Sequence, residues 1–304
     1  MTGLHLYIET NKKLIDLFIQ DHFKKMDYGK KFPHNKFSLP DTMQYTLATP
    51  GKRIRPIMVM LTAESLGFSD KKKLLPFASS IELIHSYSLI HDDLPSMDND
   101  SLRRGKPTSH IVFGEASAIL AGDALLTEAF AMLSDKHYCG WLEPEKTLSI
   151  IREIAYTSGA GGLVEGQFHD VDSFGKSLNP KQIEYINEKK TASLISAACA
   201  VGAILSGKDE SVVSEFKRFG LNLGLAFQAV DDILGILGDE EVIGKTAGID
   251  KINRKSTVVE QMGIEKTKEL IKEYNEIALS SIEKTGAEKT LLIELINYLT
   301  DRIN

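Results

Sequence analysis

Proline stops early in this 304-residue chain: all nine prolines lie at or before Pro180. Proline lacks an amide donor and clashes with the turn before it, so it breaks helix interiors. The last two-fifths of the chain is therefore free to form long uninterrupted helices. Its apolar spacing agrees, because Phe216, Phe219, Leu223, Phe227 and Val230 recur at steps of three and four, which lays one stripe along a helix. Runs of β-branched residues bounded by turn signals are scarce, and no convincing strand set emerges. The pattern predicts helices beginning near Asn11 and Lys52, and others over Lys71–Asp92, Glu115–Ser134, Glu145–Ser158, Lys181–Leu205, Glu210–Leu237 and Gly263–Arg302. The connections carry turn chemistry, as in "FPHNKFSLP" and "DSFGKSLNP", but none is long or biased enough to act as a domain linker. The expectation is an all-α chain, with 1–304 as one large helical domain.

Composition narrows the function classes. A net charge of −6 without a long basic run argues against a general nucleic-acid binder, whose affinity rests on neutralising phosphates. Small phosphorylated substrates stay open, since a few placed cations or a metal hold those locally. Cys139 and Cys199 form no CxxC pair. That argues against a disulfide framework or zinc site and fits a reducing, cytoplasmic setting. The N-terminus lacks the apolar core of a signal peptide. The longest uncharged stretch, "TASLISAACAVGAILSG", contains several hydroxyls and falls short of a comfortable membrane span. It reads as a helix buried on most sides.

The chemistry concentrates in a recurrence. "SLIHDDLPSMDND" holds Asp92, Asp93, Asp98 and Asp100, and "AFQAVDDILGILGDE" holds Asp231 and Asp232. Each pair ends an apolar helical run. Aspartate is a poor interior helix residue and is rarely buried without a partner. One such pair would be read as a helix cap; two argue for carboxylates facing a central cavity. Massed carboxylates resist ionising together, and a hard divalent cation such as Mg²⁺ relieves that with oxygen ligands. Asp92 and Asp98 are six residues apart and would point to different faces of a straight helix. Pro95 between them predicts a kink or bulge that turns Asp98 back.

Basic residues surround these pairs: Lys52, Arg53 and Arg55 in "GKRIRP", Arg103 and Arg104 in "LRRGKPT", then Lys190, Lys245 and Lys255. Arginine matches phosphate with a planar fork and lysine acts as a point charge. Singly, each would be a solvated surface residue; with two acidic clusters the set points to diphosphate binding. His85, seven residues before Asp92, is a candidate phosphate donor. Tyr87 and Ser88 precede Asp92 by five and four residues. They lie about 140° and 40° beyond one full turn from it, so both are expected to border the cavity wall.

At these residues the chain resembles the trans-prenyl diphosphate synthase family, in its bacterial farnesyl diphosphate synthase branch. "HSYSLIHDDLPSMDNDSLRRGKPT" carries the resemblance most specifically. "GKRIRP", "LAGDALLTEAF", "EGQFHDV", "KTASLI" and "FQAVDDIL" follow the family's order, and the likeness runs from Leu47 to Thr257. It implies a helical bundle around a deep cavity, usually dimeric. It implies magnesium held by Asp92, Asp98 and Asp231, with three ions when substrate is bound. Lys52, Arg55, His85 and Arg104 would hold isopentenyl diphosphate. Arg103, Lys190 and Lys245 would hold the allylic partner, dimethylallyl or geranyl diphosphate. Thr191 and Gln228 would line the region where positive charge develops, and Gln167 and Asp170 would support metal-bound waters. Tyr87, with Ser88, would set the chain length at farnesyl.

Four positions depart from the family pattern: Gly235 where the second motif ends in a third Asp, Pro50 before "GKRIRP", "KSTVV" for "KSTYP", and Glu165 where Gly is usual. The first bears directly on the metal. The alternatives are a geranylgeranyl diphosphate synthase, a terpene cyclase, and a non-catalytic synthase subunit. Lys52, Arg55 and Arg104 count against a cyclase, which needs no second diphosphate site. Only Gly235 favours the subunit.

Overall fold

The computed structural model describes residues 3–26, 37–237 and 256–303. The fold is all-α. Helix α1 spans Gly3–Lys24, α2 Leu39–Leu47, α3 Ile54–Ser65 and α4 Lys71–Asp92. Short α5 (Ser109–Phe113) leads into α6 (Glu115–Ser134), followed by α7 (Lys136–Cys139), α8 (Pro144–Ser158), α9 (Leu163–Asp172) and α10 (Pro180–Asn187). Helices α11 (Ser193–Leu205) and α12 (Glu210–Leu237) come next. The chain closes with α13 (Val258–Met262), α14 (Ile264–Glu283), α15 (Thr290–Thr300) and a 3₁₀ turn, Asp301–Ile303.

The centre is built by α4 against α6, α11 between α3 and α12, and α12 against α14. Every residue of α11 except Ile204 is buried, as its uncharged sequence requires. Phe216 and Phe219 have no exposed surface, and burying a side chain of that size stabilises by roughly 1.5–3 kcal/mol. By length and composition α6 and α12 are each apolar enough to cross a bilayer. In the fold, however, α12 is sandwiched by α11 and α14 and carries the acidic pair.

Several sequence expectations need correction. The predicted Gly263–Arg302 helix is broken after Glu283, where Gly286 takes a φ of +69°; glycine enters that region at little steric cost. The break lets Glu288 N–H bond Ser65 O at 2.8 Å and returns α15 onto α1, α3 and α12. The helix expected near Lys52 starts at Ile54, because Arg53 sits at φ 52° as its N-cap. The "FPHNKFSLP" connection hides the start of α2: Ser38 and Asp41 form a reciprocal capping box with Pro40 in the first turn. Helix α9 was missed altogether. A two-residue antiparallel hairpin, β1 (Leu102–Arg103) with β2 (Lys106–Pro107), was also unforeseen. Arg104 and Gly105 both have positive φ at its turn, as a tight hairpin matching strand twist demands. Finally, the Lys181–Leu205 helix begins at Pro180 and contains a π-helical turn over Glu188–Ala192. Such turns often mark functional sites in helices, and this one presents Lys190 and Thr191.

Candidate active site

The end of α4 and the last turns of α12 meet at a cavity of about 460 Å³. Asp92 and Asp231 lie on its wall, as do Lys52, Arg55, Arg103, Arg104, Lys190 and Arg302; His85, Gln167, Thr191 and Gln228 also line it. Residues far apart in sequence, from Lys52 to Arg302, thus converge at one cavity.

The acidic motif divides its labour. Helix α4 ends at Asp92, and the chain turns at Pro95 so that Asp98 N–H donates to Asp92 O at 2.9 Å. This closes the six-residue step. Asp98 is buried and does not line the cavity, yet its charge reaches Lys190. Asp93 and Asp100 correct the expectation of a cluster facing the cavity. Arg103 Nε donates to both Asp93 carboxylate oxygens, at 2.7 and 3.0 Å, and its terminal nitrogen lies 3.6 Å from Asp100. These two acids therefore aim Arg103. In the second motif, Thr191 Oγ1 donates to Gln228 Oε1 at 3.0 Å and Gln228 Nε2 to Asp232 Oδ1 at 2.9 Å. Val258 N–H reaches Asp232 at 3.4 Å. Asp232 thus anchors Gln228 and α13, while Asp231 faces the cavity.

Lys190 Nζ donates to Asp170 at 2.6 Å and stands 3.9 Å from Asp92. Burial opposes its charge, but Asp92, Asp170 and Asp98 outweigh that and raise its pKa, so it is a fixed cation. Gly166 allows this packing: a Cβ there would lie 2.2 Å from Lys190 N.

The basic side is arranged differently. Arg53, grouped in sequence with its neighbours, is a structural residue. It donates to Asp16 and Glu82 at 2.8 Å each and to Leu47 O, pinning α3 to α1 and α4. Arg55, Arg104 and Lys52 form no ion pair among the described residues. Arg55 Nε is buried without a hydrogen-bond partner among the described residues. Burial, with Arg104 adding to it, lowers the Arg55 pKa to about 10. His85 Nε2 lies 3.4 Å from Arg55. Removal from water and the guanidiniums of Arg55, Arg104, Arg103 and Arg53 hold His85 well below the ordinary imidazole range, so it is neutral. Gly51 leaves room for the Arg104 guanidinium, which a Cβ there would meet at 2.4 Å and push aside. Lys245 and Lys255 lie outside the described residues.

Two site residues escaped the sequence. Glu82 had a usable signal, a charge inside the apolar run "ASSIELIHSYS". Arg302 had none: its NH1 donates to Asp231 Oδ1 at 2.8 Å only because α15 folds back.

The oxygen-only facing pair Asp92 and Asp231 suits a hard divalent cation. Among the described residues no three His, Cys, Asp or Glu groups converge into a complete metal site. An ion bound there must be completed by water and by substrate phosphate oxygens, which is how Mg²⁺ is usually held.

A second chamber of about 430 Å³ opens from the first, sharing Ser88, Asp92, Leu163 and Gln167. Its wall is largely apolar: Tyr87, Met97, Val164, Phe168 and Val171. Ser88 borders both chambers, whereas Tyr87 borders only the apolar one, 5% exposed, with its hydroxyl 3.4 Å from Ser158 O.

Comparison with known proteins agrees with this geometry. The chain is 38% identical over 297 residues to a farnesyl diphosphate synthase of Bacillus subtilis, covering 96% of this chain and 99% of that one. It is 40% identical over 268 residues to the large subunit 1 of a heterodimeric chloroplastic geranylgeranyl pyrophosphate synthase of Arabidopsis thaliana, covering 87% of this chain and 72% of that one. A geranyltransferase of Helicobacter pylori, solved with magnesium and isoprenyl diphosphate, superposes with a TM-score of 0.82 at 31% identity, covering 100% of this chain and 98% of that one. The polyprenyl synthetase family model matches residues 37–296, and the chain belongs to that family.

Proposed function

We propose that the chain condenses isopentenyl diphosphate with dimethylallyl and then geranyl diphosphate, releasing farnesyl diphosphate as its main product. The observation that carries this is the junction of two unlike chambers, one cation-rich and flanked by Asp92 and Asp231, the other apolar, meeting at Ser88 and Asp92. An allylic diphosphate has that same division between charged head and hydrocarbon tail.

Lys52, Arg55, Arg104 and neutral His85 bind the isopentenyl diphosphate. Arg103 and Lys190, with Lys245, hold the allylic diphosphate and stabilise charge as its C–O bond breaks. Asp92 and Asp231, with the buried Asp98 behind Asp92, would hold magnesium, three ions in the loaded enzyme, which would supply Lewis-acid neutralisation of the leaving group. Thr191 and Gln228, locked to each other and to Asp232, present oxygen atoms to the allylic cation. The isopentenyl double bond attacks that cation, and a proton then passes to the departed diphosphate. The apolar chamber excludes water that would quench the cation. Tyr87 closes off the space for chain growth, with Ser88 beside it.

The trio Lys52, Arg55 and Arg104, without an ion pair among the described residues, supports a second diphosphate site and disfavours a terpene cyclase. The likeness to geranylgeranyl synthases keeps that product as the second reading. A cytoplasmic homodimer belongs to the same proposal. The apolar side chains Ile119, Leu120, Val164 and Phe168, all exposed in the single chain, support burial against a second copy, which sedimentation would test. The deciding assay incubates the protein with magnesium, isopentenyl diphosphate and dimethylallyl diphosphate and separates products by chain length. A C15 product is expected; no condensation at any magnesium level overturns the proposal.

A further inference from the structure

Arg302 takes no part in the scheme above, yet it touches the residue that scheme depends on. The 3₁₀ turn Asp301–Ile303 carries it to the cavity wall. NH1 donates to Asp231 Oδ1 at 2.8 Å, and the side chain is 15% exposed. Its guanidinium lies 5.9 Å from the Phe227 ring centroid. Phe227 and Asp231 are four residues apart on α12, so the guanidinium lies along one helical turn, stacked at one end and hydrogen-bonded at the other.

A divalent cation at Asp231 needs the lone pairs this guanidinium uses, and two cations within a few ångströms repel. We infer that Arg302 is a built-in competitor for the metal: it neutralises Asp231 in the metal-free enzyme and is displaced when a divalent cation takes that carboxylate. The inference rests on the metal role proposed for Asp231. The competitor is weak by construction. Asp231 is 36% exposed, and ion pairs open to solvent are worth up to about 1 kcal/mol, which converts to about a two- to fivefold handicap on metal affinity. The device therefore raises the threshold for metal binding without blocking it. It acts in the same direction as Gly235, which removes a negative charge one turn further along α12.

The test titrates Mn²⁺, followed by its paramagnetic resonance signal, into the full chain at fixed inorganic pyrophosphate. Four proteins are compared: wild type, Arg302→Gln, Asp231→Asn and the double variant, with thermal melts confirming that each is folded. Arg302→Gln should tighten Mn²⁺ binding about two- to fivefold in the wild-type background and leave it unchanged when Asp231 is already Asn. An equal gain in both backgrounds reflects only the loss of a positive charge and overturns direct competition. No gain in either background also overturns it, provided Asp231→Asn weakens binding. If Asp231→Asn has no effect, the metal role of Asp231 fails and the inference falls with it. Arg302→Lys, which keeps the charge but loses the planar fork, should fall between wild type and Arg302→Gln.

Discussion

Gly235→Asp tests whether the missing acid of the second motif matters. Gly235 is exposed, and a Cβ built there meets nothing within 4 Å among the described residues. The new side chain is therefore accommodated without repacking. Stability should hardly move: aspartate gains a few tenths of a kcal/mol over glycine in a helix, while a negative charge near the end of α12 costs about 0.3–1 kcal/mol. Four residues of helix separate the Cα atoms of 231 and 235 by about 6 Å. A carboxylate about 7 Å from a divalent ion in water-like surroundings is worth about 1.2 kcal/mol. Screening over a Debye length of about 8 Å roughly halves that, leaving about a two- to threefold gain in affinity. If the carboxylate also accepts a hydrogen bond from a metal-bound water, outer-shell contacts of that kind contribute about 10–100-fold. The half-saturating magnesium concentration should therefore fall by at least twofold, and by tenfold or more if the water contact forms. The saturated rate should change only modestly. The assay is a magnesium titration of both proteins at fixed, saturating substrates. Superimposable titrations would place position 235 outside the metal's influence. A wild-type protein inactive at every magnesium concentration and rescued by the Asp would favour the non-catalytic-subunit alternative.

Asp92→Ala should stay folded, since Lys190 keeps its 2.6 Å contact to Asp170, yet lose on the order of 10²-fold or more in turnover; near-normal turnover at saturating magnesium would refute its role. Tyr87→Ala should enlarge the apolar chamber and shift product from C15 toward longer diphosphates, at a stability cost of about 3 kcal/mol for removing a buried aromatic; an unchanged product profile by chromatography would exclude Tyr87 as the floor. His85 has a lowered folded-state pKa. Below the ordinary value of about 6.5 the unfolded chain binds a proton that the native state refuses, so stability falls with pH there by up to about 1.4 kcal/mol per unit. Melts between pH 5 and 7.5 should show this slope, and His85→Gln should flatten it; parallel profiles would mean that His85 titrates normally.

Much of the site was legible in the sequence, because its chemistry is local. The Asp92 to Asp98 step announces its own bulge through Pro95, and "FQAVDDIL" announces an apolar helix carrying an acidic pair. Position on a helix put both Tyr87 and Ser88 at the cavity wall, and in the structure both line the apolar chamber, with only Ser88 also reaching the charged one. What sequence periodicity failed to resolve was set by tertiary contact. Asp93 and Asp92 are neighbours of one type, but only the fold shows that Asp93 is buried against Arg103 while Asp92 meets the cavity. Arg53 and Arg55 look alike in "GKRIRP", and their separation depends on Asp16 and Glu82 arriving from two other helices. The last helix was expected to run straight through Gly286, and the partner that its break delivers, Arg302, depends on where α15 lands.

The charge arrangement has a consequence for the order of binding. Each cavity acid already faces a cation, Asp92 near Lys190 and Asp231 against Arg302. The basic trio does not have the same compensation: Lys52, Arg55 and Arg104 face the cavity without an ion pair among the described residues, and burial depresses the pKa of all three. Excess positive charge held out of water is costly, and an anion relieves it at once. A diphosphate can therefore enter the Lys52, Arg55 and Arg104 side with no metal and no rearrangement. The Asp92 and Asp231 side has to give up existing ion pairs, so binding there requires a divalent cation to take over the carboxylates. The two diphosphates of one reaction thus meet opposite electrostatic conditions in a single cavity. Magnesium should strengthen the allylic substrate's binding and leave that of isopentenyl diphosphate nearly unchanged. Calorimetric titrations of each substrate with and without the metal measure this directly, and equal magnesium dependence for both would refute the asymmetry.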